Sequence, residues 1–397
     1  MKTYRFLAFD CGTTSGRAIL GTFADGTFRM EEVYRFPNQT LEIGGKYFWN
    51  VYGFYEHLLK CLTELGKRHI PLDSIGINTW GCDFGCIGHD GTLLCLPRAY
   101  CDPYTEGIPE KLFQKVSREQ LYALIGIQAI NYNSIFQMFA QAEEGSVAYR
   151  HAKRILFMPD LLAYMLTRGK VCETTIASTS GLMNPKTQQF VPSLMAAVGL
   201  TEDHIPDRVQ PGEVVGRLRF NIAKETGLGE VPVVAVAGHD TASAVVAVPA
   251  ENERFAYLIS GAQNIMGIEV NEPIITERSA QLNFFNECGI EDTTCFQKGF
   301  KEAGNVEEIK EVLDRLQEFA PFKIEKLQVI GDGSTNDQLN QRIAEAIGMP
   351  MVAGPTEATV IGNLMVQAKA AGLVQDRWEM RKMVGETVQI KTYYPDT

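Results

Sequence analysis

The sequence predicts an α/β protein in which one domain type occurs twice, with a ligand cleft between the copies. Three observations carry this. Strand-like and helix-like segments alternate along the 397 residues. Each half opens with a strand–turn–strand unit, at 9–17 in the first half and 258–265 in the second. A break between the halves falls near 246–252, so the expected domains are 1–246 and 247–397.

The elements follow in order. Residues 4–9 form an apolar run and read as a buried strand; 18–23 reads as its partner, and 27–34 continues the meander. An amphipathic helix is expected over 52–68, with Tyr55, Leu58, Leu59, Leu62 and Leu65 near one face. Residues 73–78 read as a short strand feeding Thr79-Trp80-Gly81-Cys82-Asp83-Phe84-Gly85, and 106–170 as mostly helical. The apolar stretch 231–237 reads as a strand ending at Gly238-His239-Asp240, with a helix from 241. Another strand at 255–260 ends at Gly261-Ala262-Gln263-Asn264. Ile309, Val312, Leu313, Leu316 and Phe319 form a helical stripe. A strand at 327–330 runs into Gly331-Asp332-Gly333-Ser334, and helices are expected at 336–347 and 357–372.

Composition narrows the function classes. At 45% hydrophobic, the chain can bury the cores of two or three domains. A net charge of −11 without a Lys/Arg run opposes nucleic-acid binding. No apolar stretch reaches membrane-spanning length and no leader pattern opens the chain, so a cytoplasmic protein is expected. The nine cysteines are scattered; Cys82 and Cys86 lack a second pair at zinc spacing, so reduced thiols are expected.

The richest motif is Asp10-Cys11-Gly12-Thr13-Thr14-Ser15-Gly16-Arg17. A Gly- and hydroxyl-rich tip between two strands offers N–H groups and hydroxyls to a phosphate, because glycine lets backbone approach closely. An acid at the strand end can hold a cation through water. The Gly-Lys-Ser/Thr ending of a Walker loop is absent. Arg17 suits a phosphate or a solvated strand. Asp240, between an apolar strand and a helix, suits a general base at a cleft mouth, or an ordinary helix cap. His239 suits a sugar hydroxyl or a packed strand end. Asp83, beside Trp80 and Gly81, suits a carbohydrate platform or a plain turn.

Together these segments resemble the FGGY sugar kinases. The motifs are 10–17, 76–85, 238–245 and Gly354-Pro355-Thr356-Glu357-Ala358-Thr359-Val360-Ile361-Gly362-Asn363. Within that group the pattern is most similar to the rhamnulokinases, including Thr79-Trp80-Gly81-Cys82-Asp83-Phe84, Met158-Pro159-Asp160 and 174–184. The resemblance implies an actin-like, ribonuclease H-like duplicated fold and ATP-dependent phosphorylation of a ketose, L-rhamnulose, at its 1-hydroxyl. It implies Asp240 as general base, with Gly81, Asp83, His239 and Thr241 lining the sugar pocket. Thr13, Thr14, Ser15, Gly16 and Arg17 would approach the ATP phosphates, Asp10 would support Mg2+, and Gly331 and Gly333 would meet the adenosine.

The second half departs from the family pattern. Ala262 stands where the family has a threonine, Asp332 replaces a glycine, and Gly299 replaces an asparagine. A long helical segment, with a glutamine used for ATP, is missing after Phe300. Cys101 replaces an arginine. Two readings follow: a working kinase with a trimmed nucleotide lobe, or an inactive paralogue that binds sugar as a sensor or partner. The lost segment is expected to bare apolar surface on the second domain, which a homodimer would cover.

Overall fold

The computed structural model describes residues 2–261, 264–300 and 305–395. Ala262 and the join at 301–304 lie outside the described residues. Strands β1 (Tyr4–Cys11), β2 (Ser15–Ala24) and β3 (Thr27–Pro37) form an antiparallel meander. Strand β4 (Ser74–Thr79) lies parallel to β1. Strand β5 (Val214–Arg217) caps the edge beside β6 (Pro232–Val234), which is parallel to β4. The order is β5-β6-β4-β1-β2-β3.

The second half repeats this plan. Strands β7 (Phe255–Ser260) and β8 (Asn264–Val270) pair antiparallel. Strand β9 (Phe285–Cys288) forms the edge beside β10 (Thr294–Phe300), which pairs with β8. Strands β11 (Lys326–Ile330) and β12 (Met351–Ala353) run parallel to β7, and β13 (Lys391–Tyr393) closes the far edge. The orders β3-β2-β1-β4-β6 and β10-β8-β7-β11-β12 are the same, which is the duplicated ribonuclease H-like core of an actin-like fold.

Helix α1 (Val51–Lys67) is capped by Asn50, whose side chain accepts from Gly53 N–H at 3.1 Å. Phe54, Leu58, Leu62 and Leu65 are buried on its inner face. Helix α2 (Asp240–Val246) follows the turn at Gly238 and His239. Helices α3 (Val306–Phe319) and α4 (Asp337–Ile347) cover the second sheet. Helix α5 (Ala358–Ala370) comes from the second half but packs on α2, β1 and β4 of the first. There Gly362 lies so near Ser243 that a Cβ would meet its carbonyl oxygen at 1.7 Å. Helix α6 (Arg377–Thr387) follows.

Three expectations change. The 231–237 strand is only three residues long, because the 212–213 loop takes the backbone groups of Ala235. The chain rejoins the sheet beside β4, where Thr79 N–H meets Gly238 O at 2.9 Å. Within 106–170 a strand, Arg154–Phe157, interrupts the helices and pairs with Phe84–Ile87. The bared apolar surface is not found among the described residues: the large exposed hydrophobics of the second half are Ile390 and Tyr394. Helix α3 buries Ile309, Val312, Leu313 and Leu316 in the cluster that holds Phe284 and Phe296. Among the described residues no helix is long and apolar enough to cross a membrane.

Candidate functional site

In each sheet the parallel strands end on one edge, and the chemistry-bearing turns leave from those edges. In the hairpin after β1, Gly12 N–H donates to Ser15 O at 2.9 Å. Asn38 braces the tip twice: its backbone N–H donates to Thr14 O and its side-chain amide to Gly12 O, both at 2.9 Å. Thr14 is exposed, while Thr13 and Ser15 are half-buried. Gly16 lies one step back, facing the ring of Phe36, where a Cβ would meet Cζ at 2.1 Å. Its glycine is therefore required by packing on β3.

Asp10 is tightly tethered. Its Oδ1 accepts from Asn78 Nδ2 at 2.7 Å, and its Oδ2 pairs with Arg17 at 2.8 Å. Arg17 also pairs with Glu357, just ahead of α5, at 2.6 Å. The arginine thus ties the first hairpin to the second half. No cluster of three His, Cys, Asp or Glu side chains stands ready for a metal among the described residues. One tethered carboxylate fits a Mg2+ held chiefly by phosphate oxygens and water.

After β4, Cys82 adopts φ 74°, turning the chain sharply after Trp80 and Gly81. Cys82 N–H donates to Thr179 Oγ1 at 3.3 Å, and a Cβ on Gly81 would crowd the same hydroxyl at 3.1 Å. Asp83 is only 1% exposed. Its Oδ2 accepts from Trp49 Nε1 at 2.6 Å, Trp80 Nε1 at 2.9 Å and Tyr100 N–H at 3.3 Å. Its Oδ1 accepts from Gln137 Nε2 at 2.8 Å. Burial pushes the Asp83 carboxyl up to about 6, against the pull of these donors. Asp83 is thus enclosed, hydrogen-bonded to two indoles packed at 4.4 Å between centroids.

His239 and Asp240 sit at the start of α2, His239 as N-cap and Asp240 as the first helical residue. Asp240 Oδ1 accepts from Thr241 N–H at 2.7 Å and from its hydroxyl at 3.4 Å. The Asp240 side chain keeps 40% of its surface open. Protein packed around it displaces enough water to raise its carboxyl above the ordinary range; His239 and Thr241 N–H pull the other way. His239 Nε2 lies 3.3 Å from Asp240 Oδ1, and Nδ1 lies 3.3 Å from Glu287 Oε2 without hydrogen-bond geometry. Burial works against a charge on His239, but Glu287, then Asp240 and Glu173, outweigh it and hold the ring at about 9. Behind this turn the buried Glu173 accepts from Gly238 N–H at 3.0 Å and from the Thr175 hydroxyl at 2.7 Å. Thr175 in turn accepts from His239 N–H at 3.2 Å.

In the second half Gly331 adopts φ 85°, and a Cβ there would stand 2.7 Å from Ser260 O. A Cβ on Gly333 would stand 2.0 Å from Ser260 Oγ. Both glycines let the turn lie against the end of β7, next to the second hairpin. Asp332 is exposed.

The structure thus brings Asp10, with its partner Arg17, and His239 and Thr241 near Asp240, keeps Gly331 and Gly333 against Ser260 in the second half, and turns Asp83 and Gly16 inward. Glu173, Glu287 and Gln297 escaped the sequence reading. An acid flanked by Phe284 and Phe285 on one side and Cys288 on the other is the signal that marks Glu287, since a buried charge needs a partner.

Residues 5–247 match the sequence model of the N-terminal domain of the FGGY family of carbohydrate kinases, and residues 304–371 match its C-terminal domain. The chain is 40% identical to a rhamnulokinase of Bacteroides thetaiotaomicron over 463 aligned positions, covering 98% of this chain and 96% of the relative. It is 29% identical to a Bacillus subtilis rhamnulokinase, covering 98% and 95%. With 397 residues against 463 positions, at least 66 positions of the first alignment have no counterpart here. The fold is similar to a ligand-bound xylulose kinase from Lactobacillus acidophilus, with TM-score 0.84 at 14% identity over 99% of this chain and 94% of that one. It is equally similar to Plasmodium falciparum glycerol kinase with ADP, with TM-score 0.84 at 12% identity, covering 99% and 95%.

Proposed function

The chain belongs to the FGGY family of carbohydrate kinases, and on that premise we propose that it transfers phosphate from ATP to the 1-hydroxyl of L-rhamnulose. The observation that carries the mechanism is the carboxylate of Asp240, open to the cleft and oriented by Thr241 N–H and His239. As general base it accepts the proton of the sugar hydroxyl. The freed oxygen attacks the terminal phosphorus, the bond to the ADP oxygen breaks, and Asp240 leaves protonated. ATP supplies the phosphoryl group, and Mg2+ supplies countercharge on its phosphates.

The remaining residues take supporting roles. Gly81, His239 and Thr241 line the sugar side. Asp83 acts from behind, fixing the Trp49 and Trp80 wall. The tip at Thr13, Thr14 and Ser15 offers N–H and hydroxyl groups to the phosphates, with Gly16 keeping the hairpin packed. Arg17 would exchange Glu357 for a phosphate oxygen, and Asp10 would help hold Mg2+. Gly331 and Gly333 let the adenosine turn approach. Residues 1–246 serve as the sugar lobe and 247–397 as the nucleotide lobe, in a cytoplasmic enzyme.

A second reading is favoured by the missing positions and by Asp332: a protein that binds sugar without turnover. Calorimetric titration of Mg-ATP with and without L-rhamnulose separates the two. ATP binding that tightens with sugar, and ADP release that disappears in Asp240→Asn, is the expected result. Heat from sugar alone, with none from millimolar ATP, overturns the catalytic reading. Light scattering of the purified protein tests the homodimer, which a monomeric mass refutes.

A further inference from the structure

The second lobe sends one acid into the sugar side of the cleft. Glu287 lies on β9, and β9 is fastened to the first lobe on both sides of it. Asn286 donates to Gly126 O from its backbone at 2.9 Å and from its side chain at 3.1 Å. Cys288 N–H donates to Ser178 Oγ at 3.0 Å. Between these anchors Glu287 stands 3.3 Å from the ring of His239. Its Oε2 also accepts from Gln297 Nε2 on β10 at 2.8 Å, and Gln297 Oε1 accepts from the Tyr257 hydroxyl on β7 at 2.8 Å. Tyr257 and Gln297 are fully buried, and Glu287 and His239 are 9% and 8% exposed. A polar chain thus runs from the centre of the second sheet, through Glu287, to the imidazole beside Asp240.

We propose that Glu287 is a positioning residue for phosphoryl transfer, supplied by the second lobe: it clamps His239 as the cation that stands against Asp240. The proposal rests on the reading of Asp240 as the base. A carboxylate buried in a strand is strongly unfavourable unless paired and hydrogen-bonded, and Glu287 has both, with the charge partner on the opposite lobe. The groups facing His239 are Glu287 from β9, Asp240 from α2 and Glu173 from the segment ahead of the helix Thr174–Ser178. Near Glu287 the Cys82 thiol and the Tyr132 hydroxyl are both pushed up by burial and stay neutral. With three carboxylates around one ring, the imidazolium is the form the site favours. Since β7 carries Tyr257 and pairs with β11, which runs into the Gly331 turn, the sheet that carries the proposed adenosine turn also fixes the acid that orients the base.

The first test needs neither sugar nor nucleotide. Long-range proton–nitrogen NMR of the wild-type protein at pH 7.5 is expected to find both His239 ring nitrogens protonated; a neutral ring overturns the proposal. In Glu287→Gln the His239 titration is expected to fall by at least one pH unit, and an unchanged titration in the folded variant overturns it. In the assay Glu287→Gln is expected to lose roughly 10- to 100-fold in kcat, with the alkaline limb of the profile moved down and the KM for ATP unchanged. Glu287→Asp is expected to recover part of it. A loss with an unmoved pH profile marks a merely structural role and refutes the clamp. Should Glu287→Gln not fold, Gln297→Leu serves instead, with a smaller shift of the His239 titration expected and no shift overturning. A protonated ring in a wild-type protein that turns over no sugar leaves the Glu287–His239 ion pair standing and overturns both its role in phosphoryl transfer and the kinase reading.

Discussion

Asp83 and His239 are both buried ionisable groups, and they make stability depend on pH in two separate windows. Asp83 is an acid whose carboxyl rises in the folded protein to about 6. The folded state therefore holds that proton more tightly, so this contribution is present at low pH and lost as pH rises through about 6. His239 is a base held at about 9. Its contribution is complete below its ordinary value and lost as pH rises through about 9. Thermal unfolding across pH 4–10 is expected to fall in both windows, with Asp83→Asn flattening the lower and His239→Gln the upper. Asp240→Asn is expected to lower kcat roughly 100- to 10,000-fold, the range for a general base, read by coupled ADP release. Because the Asp240 carboxyl is raised, the acid limb of the rate profile should lie above the ordinary aspartate range. Asp240 was legible in the sequence because a strand, a glycine and a helix start flank it. The inward turn of Asp83 was not, because its indole donor Trp49 comes from 34 residues upstream.

Among the elements, the first hairpin was readable in place, but its turn was read too long: residues 10–11 and 15–17 belong to the strands, and only 12–14 form the tip. The role of Gly16 was not readable: what fixes it is Phe36 on β3, itself stacked at 4.7 Å on His57. Gly16→Ala is expected to destabilise by about 1–3 kcal/mol through overpacking, with most of the loss recovered in Gly16→Ala/Phe36→Leu, as measured by denaturant unfolding. Helix α1 gives a milder case: Asn50→Ala removes its cap and should lower stability by about 1 kcal/mol. The strand expected over 231–237 was cut short by the 212–213 loop, whose Gly212 and Glu213 bond the backbone of Ala235. Apolar run length reports burial, and the residues 235–237 are indeed buried without being in a ladder.

For the whole molecule, the two halves are joined by side chains as well as by the chain itself. Gln367 on α5 donates to Asn363 Oδ1 at 2.7 Å, Asn363 donates to Asn78 Oδ1 at 2.8 Å, and Asn78 donates to Asp10. Ser74 donates to Gln367 Oε1 at 2.7 Å. Asn363→Leu is expected to cost about 1–3 kcal/mol, the penalty for stranding a buried polar partner, and to weaken Mg-ATP binding by loosening Asp10, both read by calorimetry. The duplication was visible in the sequence through two hairpins of one shape; the side chains that bind the copies together were not, because their partners lie 285 positions apart. Helix α5 therefore belongs to one half by descent and to the other by packing. Recombination between relatives must respect that. A chimaera joined at the apparent border near residue 247 would pair a foreign α5 with the native first sheet, whereas exchanging α5 along with the first half keeps each interlocking surface with its own counterpart.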